Sequence, residues 1–305
     1  MEFHVTILGA NSAIPAHGRN QTSQFVNLGN NFLLIDCGEG TQIQLRKFKL
    51  KYSKIDFIFI SHLHGDHYLG LMGLISSFHL NKRRKLLTIF GPNGLDEIIT
   101  VQLKHSNTRL HFPLRFVPTN PEEKQLILEE KNFRVFSLPL KHRLPCTGFL
   151  IQEKPGLLNL IKEKLQETKI PIEAINALRN GMDVFDEEGN VRFKVKDYTH
   201  PPKKPRAYAF CSDTVFDPEL IAHIQGVNLL YHEATFSNDE RIRAAETLHS
   251  TAGQAGVIAK RAKVGKLLLG HYSTRYLELT PLLNEAKAEF ESSYLSEEGV
   301  TYKVE

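Results

Sequence analysis

His62-Leu63-His64-Gly65-Asp66-His67 sets four potential metal ligands inside six positions, directly after the apolar run Phe57-Ile58-Phe59-Ile60. Packed imidazoles beside a carboxylate suffer mutual repulsion and desolvation unless something binds them together, so the cluster predicts a metal at the end of a strand. Imidazole and carboxylate without thiolate suit zinc, and the same donors admit manganese or iron. Gly65 is expected to permit a tight turn that lets side chains on both sides of it converge. A structural finger would close its site with Cys pairs, and this loop has none.

Further ligands are expected at other strand ends. Leu267-Leu268-Leu269 runs into His271, Tyr208-Ala209-Phe210 into Asp213, and the alternating stretch Phe133 to Leu140 into His142. Each is a short β-rich segment that ends on a metal-competent side chain. With His62, His64, Asp66 and His67 they make seven side chains, enough for two ions with one bridging carboxylate and a water between them.

Around these residues the chain reads as α/β in two halves. The first has strands at Phe3 to Gly9, Gln24 to Leu28 and Asn31 to Asp36, with Gly29-Asn30 as a hairpin turn. A helix near Thr41 to Phe48, the strand at Phe57 to Ile60, a helix over Leu69 to Leu80, a strand at Thr88 to Phe90 and a helix over Asn93 to Lys104 follow. In the second half Asn228 to Tyr231 is a strand, Ser250 the expected N-cap of a helix through Ala262, and Pro281 to Phe290 a closing helix. Between His142 and Asp213 the pattern changes. Leu157 to Glu167 is helix-like, Ile170-Pro171 breaks it, Glu173 to Arg179 resumes, and Asp186 to Asn190 reads as a turn. Pro201-Pro202-Lys203-Lys204-Pro205-Arg206 is held extended by its prolines. Some fifty residues are too many for an idle connection.

Finer motifs complete the picture. Pro15-Ala16-His17-Gly18-Arg19-Asn20, His232-Glu233-Ala234-Thr235, His249-Ser250-Thr251 and His271-Tyr272-Ser273-Thr274-Arg275-Tyr276 stand in this order along the chain. With the ligand loop they resemble the metallo-β-lactamase superfamily and, within it, the short-form tRNase Z family of tRNA 3′-processing endonucleases. His17 stands where that family has a lysine, and the family's Gly-Pro pair is not evident in Ile170 to Gly181.

The resemblance implies a metallo-β-lactamase αβ/βα sandwich over residues 1–305, with a flexible arm, 153–206, inserted to clamp the tRNA elbow. A lid or a dimer contact is the alternative use of that segment. It also implies a homodimer in which one subunit's arm holds RNA for the other's active site. The implied reaction cuts pre-tRNA on the 3′ side of the discriminator nucleotide. His62, His64 and His142 would hold one Zn2+, Asp66, His67 and His271 a second, with Asp213 bridging and Mn2+ or Fe2+ as other occupants. Asp66 would orient the attacking water, and His249, held by Glu233, would stabilise phosphorane charge or protonate the leaving oxygen. The remaining readings are a small-molecule hydrolase of the same fold and a metal-stabilised tRNA-binding protein without turnover.

Charge and composition are compatible with this. The 305 residues carry a net charge of +4, too mild to identify a nucleic-acid partner alone. Local runs say more: Lys82-Arg83-Arg84-Lys85, and Arg192 to Arg206 with six Lys or Arg against one Asp. The first reads equally as a solvated face, the second as a phosphate contact. The whole segment 153–206 is balanced, with 11 cations and 9 anions. Three scattered cysteines, Cys37, Cys146 and Cys211, show no pairing pattern, which points to a reducing compartment, and Cys211 reads as a buried strand residue in preference to a ligand. No stretch approaches a membrane span, and the N-terminus has no basic segment before an apolar run, so a cytoplasmic protein is expected.

Overall fold

A two-residue hairpin between Leu28 and Asn31 requires positive φ at both turn positions, and Gly29 (54°) and Asn30 (74°) supply it. The hairpin starts a sheet that runs, edge to edge, Thr301–Lys303, Phe3–Gly9, Ser23–Leu28, Asn31–Ile35, Ile55–Phe59, Leu87–Gly91 and Leu114–Pro118. From Asn31–Ile35 onward the pairs are parallel. Every residue of Leu87–Gly91 is buried, as a strand covered on both faces demands. The computed structural model that provides this description covers residues 2–168 and 170–305.

A second seven-stranded sheet runs Ser293–Leu295, Lys266–Gly270, Leu229–Glu233, Ala207–Cys211, Cys146–Glu153, Phe133–Leu140 and Gln125–Glu129. The two sheets meet through Phe59 and Phe149, whose rings lie 5.3 Å apart, and through the buried hydroxyl of Tyr208, which donates to Gln24. On the outer face of the first sheet, Phe32, Leu34, Ile58 and Ile89 pack with Leu45, Leu74, Ile75, Phe78, Leu95 and Ile99 of the flanking helices. The result is the α/β two-sheet architecture with helices outside.

Contacts divide the chain into two units, Met1–Glu129 with Val135–Ile151 and Arg206–Glu305, and Glu130–Arg134 with Gln152–Pro205. The second unit has a core of its own, in which Leu160, Val184, Val195 and Tyr198 pack on Ile170, Ala174, Leu178 and Phe193. Its hairpin Val184–Phe185 to Val191–Phe193 closes on Asp186, whose Oδ1 accepts from the Glu188 and Asn190 amides at 3.0 and 2.8 Å. The expected helix over Leu157 to Glu167 divides into a strand, Asn159–Leu160, and a helix, Lys162–Thr168. Pairing of Asn159–Leu160 with Thr199–His200 overrides local helix propensity there.

Other differences have equally local reasons. The helix expected from Leu69 breaks into Gly65–Tyr68 and Leu71–Leu80, because Gly70 donates its amide to the Cys37 carbonyl. A Cβ on Gly70 would lie 2.2 Å from the Gly38 carbonyl oxygen, so only glycine permits that approach. Thr251, not Ser250, caps the helix Ala252–Arg261, in a reciprocal pair with Gln254, while the Ser250 hydroxyl donates to the Thr214 carbonyl at 2.7 Å. The strands that start at Leu114, Gln125, Cys146, Ser293 and Thr301 carry no strong alternation to announce them.

Two cations of the basic run 82–85 are spent locally. Arg83 stacks over Phe78 and donates to Asp56 at 3.0 Å, and Lys85 pairs with the same carboxylate. Arg206 donates to the Val304 carbonyl at 2.9 Å and lies over Phe3, which leaves Lys203 and Lys204 as the solvent-facing end of the second run.

Candidate metal centre

Parallel strands deliver their carboxyl ends to one edge, and loops at that edge collect whatever side chains follow. Asp36 follows Asn31–Ile35, the loop His62 to His67 follows Ile55–Phe59, Asp213 follows Ala207–Cys211, and His271 follows Lys266–Gly270. Asp36, Asp213 and His271 each adopt positive φ, 53°, 52° and 56°. This conformation costs a residue with a Cβ on the order of 1 kcal/mol, and it turns each chain sharply at its strand end. Gly65, by contrast, is the first residue of a one-turn helix and has no left-handed torsion. The convergence expected of a glycine turn is achieved by helical winding, which brings Asp66 and His67 back toward His62.

All seven residues expected as ligands come together. His62, His64, His142 and Asp213 form one group and Asp66, His67 and His271 another, each with its ligand atoms within 4.8 Å of one another. In the first, His64 Nδ1 lies 2.8 Å from His62 Nε2 and 3.2 Å from His142 Nε2. In the second, Asp66 Oδ2 lies 3.4 Å from His67 Nε2 and 3.6 Å from His271 Nε2. Asp213 faces both, with Oδ1 3.9 Å from His62 and His142 and 3.2 Å from His271, and Oδ2 3.2 Å from His67. Donor atoms about 2.1 Å from a tetrahedral ion stand roughly 3.4 Å apart, in the middle of these spacings. Cys211 is fully buried on its strand, outside these groups.

The donor set fits a cation on two further observations. His67 Nε2 and His271 Nε2 are buried without a hydrogen-bond partner, an unfavourable state for a polar nitrogen unless something else takes its lone pair. Burial works against the Asp66 and Asp213 carboxylates, yet the surrounding imidazoles hold both well below the usual carboxylate range. Burial also works against a charged His67, but Asp213, Asp66 and Asp36 together raise it well above an ordinary histidine. Three carboxylates thus draw positive charge to the place where an ion would sit.

The far nitrogens are fixed by groups that sequence reasoning did not identify. Asp36 Oδ2 stands 2.6 Å from His67 Nδ1 and also accepts from the Ser61 hydroxyl at 3.0 Å, and that hydroxyl oxygen in turn lies 3.0 Å from His62 Nδ1. The Leu248 carbonyl accepts from His142 Nδ1 at 3.1 Å. The Thr235 hydroxyl donates to Glu233 and so accepts from His271 Nδ1 at 2.9 Å. Each partner keeps its proton on Nδ1 and frees Nε2 for the ion. A carboxylate closing an apolar strand beside the ligand strand was the available signal for Asp36.

His249 sits beside these groups, its ring 5.0 Å from His142 and 5.4 Å from His271. Its Nδ1 is 2.9 Å from Glu233 Oε1, and buried Glu233 also accepts from the Thr214 and Ser250 amides. Burial alone would depress the His249 imidazole, but Glu233 and Asp213 outweigh it and raise the ring to about 9. The loop around His17 flanks the Asp66 side. The Ala13 amide donates to Asp66 Oδ2 at 2.8 Å, His17 Nε2 is 2.8 Å from the Thr274 carbonyl, and Arg19 binds Asn11 and the carbonyls of Tyr276 and Leu277.

Known proteins resemble the chain over its whole length. A sequence-family profile described as "Anti-Pycsar protein Apyc1" matches residues 3–154. "Ribonuclease Z" of Cytophaga hutchinsonii is 46% identical over 304 residues, covering 100% of this chain and 97% of the relative. The crystal structure of human tRNase Z, short form, superposes with a TM-score of 0.71 at 25% identity, covering 99% of each chain. The metallo-beta-lactamase fold protein YhfI from Bacillus subtilis superposes with a TM-score of 0.69 at 19% identity, covering 99% of this chain and 100% of that one. No helix among the described residues is long and apolar enough to cross a membrane.

Proposed function

The chain belongs to the ribonuclease Z family, and from that membership we propose that it is an endoribonuclease that removes the 3′ trailer of pre-tRNA, cutting on the 3′ side of the discriminator nucleotide. The observation that carries the reading is a full-length relative of that name, and it is supported by seven metal-competent side chains gathered beside His249.

His62, His64 and His142 would hold one Zn2+ and Asp66, His67 and His271 a second, with Asp213 between them; Mn2+ and Fe2+ suit the same donors. When bound, the two ions supply Lewis-acid charge that acidifies the attacking water and offsets charge on the attacking and leaving oxygens. Asp66, held in place by the Ala13 amide, orients that water and takes its proton. Water attacks phosphorus directly, so no 2′-hydroxyl is consumed. His249, fixed by Glu233, gives its proton to the leaving 3′ oxygen. The tRNA leaves with a 3′-hydroxyl and the trailer keeps the 5′-phosphate. Such work belongs in the cytoplasm.

A small-molecule phosphodiesterase of the same fold is the second reading, and the matching family profile spans residues 3–154. That match ends before Asp213, Glu233, His249 and His271, so it addresses the first ligand loops alone. Comparing cleavage of a 3′-extended pre-tRNA with hydrolysis of a generic aryl phosphodiester separates the readings. Efficient, position-specific trailer removal is expected, and turnover of the aryl ester alone would assign the chain to the second.

The inserted unit serves, in this reading, as an arm that grips tRNA away from the scissile bond, in a homodimer where one subunit's arm holds RNA for its partner's centre. Neutralising Lys203 and Lys204 together is expected to weaken pre-tRNA binding and flatten the log–log salt dependence by roughly 1 to 2, since fewer counterions are released. Arg206 is left intact because it is spent on Val304 and Phe3. Unchanged binding and salt slope in the double variant would remove this run from the RNA-binding surface.

A further inference from the structure

Beside His142 opens a trough of about 730 Å3, and a narrower cavity of about 180 Å3 shares with it the walls Pro121, Leu144 and Pro145. Leu63, Pro92 and buried Thr119 complete the narrower cavity, and exposed Asn93 stands at its edge. The larger trough is lined by the proposed ligand His142, so the walls shared with it place the narrower cavity beside that ligand. A dry apolar cavity of about 150 Å3 accommodates a benzene ring, and the space here is therefore of the size of one heteroaromatic ring. No charged side chain lines it, which excludes a phosphate or an ammonium as its occupant. An uncharged planar ring loses its water here at little cost. Three prolines hold the wall rigid, so binding orders little that was not already ordered. The Asn93 amide makes no hydrogen bond among the described residues and offers both a donor and an acceptor.

The larger trough adds charge of the right sign. Its Lys141 is committed to Asp217 and Glu219 at 3.1 and 2.7 Å, whereas exposed Arg143, next to His142, makes no ion pair among the described residues. A polyanionic strand leaving the metals past His142 meets that guanidinium.

We propose that the cavity of Leu63, Pro92, Pro121, Leu144 and Pro145 receives the nucleobase of one nucleotide flanking the scissile phosphate, with Asn93 reading the base edge. This subsite rests on the endoribonuclease reading above. Two variants test it: Asn93→Trp, which fills the mouth from an exposed position, and Leu144→Ala, which opens the wall. Each is compared with wild type on unmodified pre-tRNA and on pre-tRNA with an abasic residue on one or the other side of the cut. Wild type is expected to lose roughly tenfold in kcat/KM at one of the two abasic positions, the size of a single base contact. Each variant, with wild-type metal content and Tm, is expected to lose about as much on the unmodified RNA and nothing further on that abasic RNA. Additive losses, or a wild type indifferent to both abasic positions, would overturn the subsite. A wild type that cleaves no pre-tRNA would instead overturn the function, and the same cycle read as competitive RNA binding then decides the cavity separately.

Discussion

Protein stripped by a chelator is expected to lose pre-tRNA cleavage by roughly 10³-fold or more, since several kcal/mol of charge stabilisation disappear with the ions. Stability should fall as well. Ions that bind only the folded chain contribute their binding energy to its stability, and the two ligand groups would lose that contribution. Elemental analysis of replete protein is expected to give two equivalents per chain. His271→Ala should reduce that toward one, because it removes a ligand from the Asp66 group and leaves the His62, His64, His142 set intact. One equivalent in wild type with no change in His271→Ala would refute the two-ion centre.

His249→Ala is expected to lower turnover by about 10² to 10⁴, the usual range for a lost proton donor, with metal content and pre-tRNA affinity close to wild type. The variant should fold, because the His249 amide still donates to the Ala244 carbonyl at 2.8 Å, and Glu233, which loses its imidazole partner, still accepts from the Thr214 and Ser250 amides and the Thr235 hydroxyl. Near-normal turnover would reduce His249 to a polar neighbour of Glu233.

Local sequence announces chemistry where it is dense. Four ligands in six residues can be explained hardly any other way, and strands that end on His142, Asp213 and His271 are visible as short apolar runs followed by a polar side chain. The hairpin at Gly29-Asn30 is legible for the same reason, because its residues meet a torsional demand that few others can. Where propensity competes with pairing, local reading fails. Asn159–Leu160 looks helical and pairs as a strand, and Ser250 looks like a cap while its hydroxyl serves the Thr214 carbonyl.

Ligand identity was therefore a matter of residue type and position along the chain, whereas ligand orientation was a matter of the fold. Which nitrogen faces an ion depends, for three of the imidazoles, on partners distant in sequence: Asp36 is 31 residues from His67, Thr235 is 36 from His271, and the Leu248 carbonyl is 106 from His142. A hydrogen bond selects a tautomer only at contact distance, and only the packed sheets bring these groups to about 3 Å. The same holds for the cations. Composition counts Arg83 and Arg206 as free charge, yet Asp56 and Val304 occupy them once the chain has folded.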